Sequence, residues 1–125
     1  MSPSADDLVA TARTRIERVG PSALADFVGT DGLIVDIRPA AQRAEEGAFP
    51  DALVIERNVL EWRLDPAGAD RIAEVRGLDQ PVVVVCSEGY ASSLAAASLA
   101  ELGFRRVADL VGGFRAWARW AGPPA

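Results

Sequence analysis

The sequence predicts an α/β fold built on a parallel sheet, and three observations carry that prediction. Strand-like and helix-like segments alternate along the 125 residues, the pattern of successive βα units. Val82 to Val85 is an unbroken β-branched run with no polar alternation, which suits a strand buried on both faces. That run passes through Cys86-Ser87-Glu88-Gly89-Tyr90 into an alanine-rich stretch, Ala91 to Leu102. There Ala91, Ala95, Leu99 and Leu102 recur at helical spacing, and Gly103 fits the position after a helix end.

Taken in order, Ser4 to Arg18 reads as a helix. Ser4 is its cap, Asp6 and Asp7 lie in its first turn, and Leu8, Ala12 and Ile16 form a stripe. Arg13, Arg15 and Arg18 fall in the later half and read as a solvated face. Ile16 to Val19 suits a short strand, and Ala23 to Val28 a second helix with Leu24, Phe27 and Val28 inward. Leu33 to Ile37 is a strand with Asp36 near its end, and Pro39 suits the first turn of a helix running to about Glu46. Leu53 to Ile55 is a third strand. Asn58 caps a short helix holding Leu60 and Trp62, and Ala69 to Arg76 reads as another helix. After the central strand and helix, Val107 to Leu110 is the last strand. Gly112-Gly113 breaks it, and Phe114 to Trp120 closes the fold with Trp117 and Trp120 packing inward. Gly122-Pro123-Pro124 ends it. The length suits one domain, with no internal repeat or linker.

Composition narrows the chemistry. Half the residues are hydrophobic and a quarter are charged, as in a soluble globular protein. A net charge of −5 with scattered arginines argues against nucleic acid as a partner. No apolar run is long enough to span a membrane. Asp6 and Asp7 ahead of any apolar run do not resemble a signal peptide. A single cysteine suggests a reducing cytoplasm. There is no His and no Lys, so all thirteen basic residues are Arg. That excludes a Ser-His-Asp or Cys-His catalytic pair, a phosphate-binding loop lysine, a Schiff base and a zinc site built on Cys and His. One thiol, carboxylates, hydroxyls, guanidiniums and backbone amides remain.

Cys86 stands at the carboxyl end of the buried strand, the edge of an open α/β sheet where ligands bind. The free amides of a short loop entering a helix favour an anion at the loop centre, and so favour a thiolate. The alternative is a small buried hydrophobe that ends a core strand.

Four segments in this order resemble the rhodanese-like domain: Ile34 to Pro39 (IVDIRP), Gly47 to Ala52 (GAFPDA), Cys86 to Ser92 (CSEGYAS) and Leu110 to Trp117 (LVGGFRAW). The resemblance covers roughly residues 16 to 122. It implies a rhodanese-like domain over 16–125 after an N-terminal helix over 1–15. It also implies a three-layer α/β/α arrangement with a five-stranded parallel sheet in the order 3-2-4-5-1. Cys86 is then the nucleophile of a sulfurtransferase, with Ser87, Glu88, Gly89, Tyr90, Ala91 and Ser92 as its loop. It takes a sulfane sulfur from a small sulfur-containing anion or a protein persulfide. It passes that sulfur to a thiol or cyanide-like acceptor, with no cofactor and no metal.

The chain departs from the family pattern at three places. Ala48 stands where His is common, Ala91 where many members carry Arg, and Glu88 puts a negative charge inside the loop. Asp36, Arg38, Arg57 and Arg63 are candidates for supporting or binding substrate. Against these stand a loop-ordering role for Asp36, an ion pair of Arg38 with Glu45 or Glu46, and surface roles for Arg57 and Arg63. Ser92 reads as a helix-start residue. Glu88 and Ala91 favour a second function, a binding or redox-sensing module without turnover. A phosphatase of the related cysteine-dependent fold would need Arg where the chain has Ser92.

Overall fold

The computed structural model describes residues 1–123, so Pro124 lies outside the described residues. Five strands, β1 (Glu17–Val19), β2 (Leu33–Asp36), β3 (Leu53–Val54), β4 (Val82–Val85) and β5 (Val107–Leu110), form one sheet in the order β1-β5-β4-β2-β3. Every pairing is parallel, and the order is the expected one read from the opposite edge. The helices are α1 (Ala5–Arg13), α2 (Leu24–Val28), α3 (Ala40–Glu46), α4 (Leu60–Leu64), α5 (Ala91–Leu102) and α6 (Gly113–Ala121).

The valine run occupies the centre of the sheet. Val82 pairs in register with Leu33 on one side and Val107 on the other, and all four valines are fully buried. Their side chains alternate between faces, as the strand period requires. Val82 and Val84 join Leu60 and Leu64 of α4 and Leu99 of α5 in one apolar cluster. Val83 and Val85 join Leu24 and Phe27 of α2 and Phe114 of α6 in another. One strand thus anchors both cores and fixes where Cys86 emerges.

Local predictions fail where distant bonds override them. Residues 69–76 are irregular rather than helical. Their backbone is satisfied from outside: Ile72 N donates to Arg63 O at 2.9 Å and Arg76 N to Gln80 Oε1 at 2.9 Å. Burial of Val75 pins the segment to the core. The first helix stops at Arg13 because Thr14 caps it and bonds its own hydroxyl back to Thr11 O. The chain then turns to pair β1 with β5. That helix buries Val9 and Ala12 and leaves Leu8 exposed. Pro39 is the cap residue of α3 rather than part of its first turn. Asn58 sits inside a 3-10 turn, Arg57–Val59, and caps nothing. Trp117 packs on Phe49 with ring centroids 4.4 Å apart, whereas Trp120 is exposed.

The Gly112-Gly113 break places α6 against the cysteine loop. Phe114 N donates to Cys86 O at 2.8 Å and Arg115 N to Ser87 O at 3.1 Å. Gly113 makes this approach possible. Its φ is +65°, and a Cβ there would fall 2.5 Å from Cys86 O and 2.6 Å from Ser87 O. We expect Gly113→Ala to combine left-handed strain with a backbone clash, costing about 2–4 kcal/mol and lowering Tm by roughly 5–15 °C. Calorimetric unfolding checks this, and an unchanged Tm would refute the packing argument.

Candidate active site at Cys86

Cys86 ends β4 and begins a loop whose polarity is set by where its carbonyls go. Cys86 O and Ser87 O accept from the first turn of α6, and Tyr90 O accepts from Ser93 N at 3.1 Å. Gly89 O accepts from Arg13 Nη2 at 2.8 Å and Arg18 Nη2 at 3.1 Å. With these carbonyls directed outward, amides face the interior. Gly89 N lies 3.2 Å and Ser92 N 3.3 Å from Cys86 Sγ. Gly89 adopts φ +88°, and a Cβ there would meet Gly112 N at 2.9 Å, so the turn admits only glycine. The sulfur is largely buried, at 8% residue exposure. It borders an open pocket of about 200 Å³ lined by Gln42, Ser87, Glu88, Tyr90 and Ala91.

Such a site can hold an anion on sulfur. Two backbone donors, Gly89 N and Ser92 N, converge on Sγ, an arrangement that stabilises negative charge there. Among the described residues no group of three or more His, Cys, Asp or Glu is placed to hold a metal.

The other candidates sit behind or beside this loop. Asp36 and Arg38 are both buried and paired, with Arg38 Nη2 2.7 Å from Asp36 Oδ2. Arg38 also donates to Glu46 Oε1 at 3.2 Å and Gly47 O at 2.9 Å, and it stacks 4.0 Å above the Phe114 ring. Burial opposes its charge, but Asp36 and Glu46 outweigh that and hold the guanidinium above its ordinary range. This is a structural ion pair joining the end of β2 to α3. Arg57 pairs with Glu61 at 3.0 Å, and Arg63 donates to Asp70 O at 2.6 Å. Neither lines the Cys86 pocket.

Glu88 is exposed and lies 3.4 Å from Arg115 Nη1. Arg115 Nε is held by Glu46 Oε2 at 2.8 Å, and Ser87 Oγ lies 2.9 Å from Glu46 Oε1. Burial pushes the Glu46 carboxyl up, but hydrogen bonds from Arg115, Ser87 and Arg38 outweigh it and hold the group below its ordinary range. The mouth of the pocket is therefore a carboxylate–guanidinium network in which Arg115 is already shared.

Several residues at the site were not expected. Arg13 and Arg18 are not a solvated face. Arg18 Nε donates to Asp109 Oδ1 at 2.9 Å, and Arg13 Nε to Ser93 Oγ at 3.0 Å. Asp109 is fully buried and also accepts from Ser92 Oγ at 2.8 Å and Ser93 Oγ at 2.7 Å. Ser92 does start the helix, and it links Asp109 to the sulfur. The signal was present in Val107-Ala108-Asp109-Leu110: a carboxylate within a buried strand demands a partner. Which arginine answers it is set by the β1–β5 pairing, a contact between residues far apart in the chain.

Comparison with known proteins agrees with this architecture. The chain is 38% identical over 89 residues to a sulfurtransferase of Allochromatium vinosum, covering 71% of this chain and 74% of that protein. It is 33% identical over 104 residues to the thiosulfate sulfurtransferase GlpE of Pseudomonas savastanoi, covering 83% and 89%. A solved protein of unknown function from Rhodopseudomonas palustris, described as a possible tyrosine phosphatase, superposes with a TM-score of 0.86 at 28% identity, covering 100% of this chain and 96% of that one. The rhodanese-like domain model matches residues 21–119, and the chain belongs to the rhodanese-like domain family.

Proposed function

We propose that this chain is a sulfurtransferase that carries a sulfane sulfur on Cys86. The observation that carries the reading is the convergence of Gly89 N and Ser92 N on Cys86 Sγ at the edge of an open pocket. Sulfurtransferase relatives of similar length support it. In the first half-reaction the Cys86 thiolate attacks the outer sulfur of thiosulfate or of an organic persulfide. A new S–S bond forms, the old one breaks, and its electron pair leaves as sulfite or as a thiolate. The Cys86 persulfide anion is stabilised by the loop amides. In the second half-reaction an acceptor such as cyanide or a thiolate attacks the terminal sulfur, and Cys86 departs as the thiolate. No proton needs to move, which fits a site without His.

A second reading, a module that binds or senses without turnover, rests on the pocket mouth. No arginine lines the pocket itself, and Glu88 faces an incoming dianion. The two readings separate in a thiosulfate–cyanide assay run beside Cys86→Ser. A phosphatase is disfavoured because phosphoryl transfer needs a cation on the equatorial oxygens, and the pocket lining supplies none.

Intact mass after incubation with thiosulfate should rise by one sulfur atom, reversibly with dithiothreitol, and Cys86→Ser should not change; equal loading of both proteins would end the proposal. Aryl phosphate should not be turned over, and Cys86-dependent hydrolysis would revive the phosphatase reading. Glu88→Gln should raise the rate with thiosulfate about fivefold by removing an exposed charge and leaving Arg115 less neutralised. Glu88→Arg should exceed it, and added salt should shrink both gains. A series that is flat at low salt would show that the Glu88 charge does not reach the donor.

A further inference from the structure

Resting on the sulfur-transfer reading, we propose that Arg13 and Arg18 are positioning residues for the Cys86 sulfur, supplying from behind the loop the positive charge that position 91 lacks. Both guanidiniums converge on one carbonyl, Gly89 O. A single donor would satisfy that carbonyl in a turn. Because the peptide is planar and trans, a Gly89 carbonyl drawn outward turns the Tyr90 N–H toward the inner side of the loop. The pair of arginines thereby fixes the Gly89–Tyr90 peptide next to the Gly89 N–H that touches the sulfur.

A second set of bonds ties the same arginines to the sulfur's other donor. Arg18 is fixed by Asp109, and Asp109 also accepts from the Ser92 hydroxyl. The Ser92 N–H points at Sγ. Arg13 reaches Ser93 Oγ and lies 5.6 Å above the Tyr90 ring. Tyr90 and Ser93, which follow the two amides that touch the sulfur, are thus both in contact with Arg13.

The charge balance points the same way. The charged groups around the loop are Glu88 within it, Arg115 on α6, Glu46 on α3, the Asp36–Arg38 pair at the end of β2, Asp109 on β5, and Arg13 and Arg18. Arg38 is committed to Asp36 and Glu46, and Arg115 to Glu46 and Glu88. Behind the loop two guanidiniums face a single carboxylate, Asp109. The surplus of one positive charge lies on the outer side of the amides that touch the sulfur.

The test is the pH dependence of Cys86 alkylation by iodoacetamide, a neutral probe that needs no sulfur donor. It therefore stands or falls separately from sulfur loading, which is followed by mass in the same samples. Arg13→Met, which removes the surplus charge, should move the alkylation midpoint to higher pH and slow the reaction at neutral pH about three- to fivefold; Arg18→Met combined with Asp109→Asn, which leaves that surplus on Arg13, should slow it less, about twofold. Arg13→Lys should recover most of the loss, which a purely structural role would not require. A folded Arg13→Met protein with the wild-type profile would overturn the proposal. Should Arg13→Met fail to fold, Arg13→Gln keeps a donor and removes the charge. A displaced profile for Arg13→Gln supports the assignment, and an unchanged one rejects it.

Discussion

The site depends on the outward disposal of the loop carbonyls. A short turn can aim its amides at one atom only if its carbonyls are satisfied elsewhere, because buried backbone oxygens must find donors. Here the donors come from two distant parts of the chain and from the adjoining helix: the first turn of α6 for Cys86 and Ser87, Arg13 and Arg18 for Gly89, and the start of α5 for Tyr90. The central strand sets the position of the sulfur, and these bonds set its chemistry. Gly113 belongs to the same constraint, since any side chain there would separate α6 from the oxygens it caps.

The pocket mouth and the loop interior are built on opposite principles. Inside, the loop backbone is held by Arg13 and Arg18 on Gly89 O and by the buried Asp109 that Arg18 neutralises. Outside, Glu46, Arg115 and Glu88 share charge in solvent, where ion pairs are weak and screened. On the sulfur-transfer reading, discrimination among donors would lie with the mouth and anion stabilisation with the loop.

Much of this was legible from residue order alone. Val82 to Val85, the loop and α5 are contiguous, and their periodicity and glycine punctuation report local geometry directly. The Gly112-Gly113 break was visible, but its purpose was not, because the oxygens it approaches lie some two dozen residues earlier. Residues 69–76 have a helical composition that loses to the bonds they donate to Arg63 O and Gln80 Oε1. Arg13 and Arg18 were misread because the end of a helix normally carries exposed cations. The pairing of β1 with β5 carries Arg18 to Asp109, and the packing of α1 on α5 carries Arg13 to Gly89 and Ser93.

That pairing has a kinetic side. β1 is three residues long, lies at the edge of the sheet and has a single neighbouring strand. Edge strands that pair on one side only open locally at lower cost than central strands. Each such excursion withdraws Arg18 from Gly89 and leaves Asp109 facing the loop without its counter-charge. On the proposed role of Arg18, the reactivity of the thiol follows the opening of this edge strand rather than global unfolding of the valine-centred sheet.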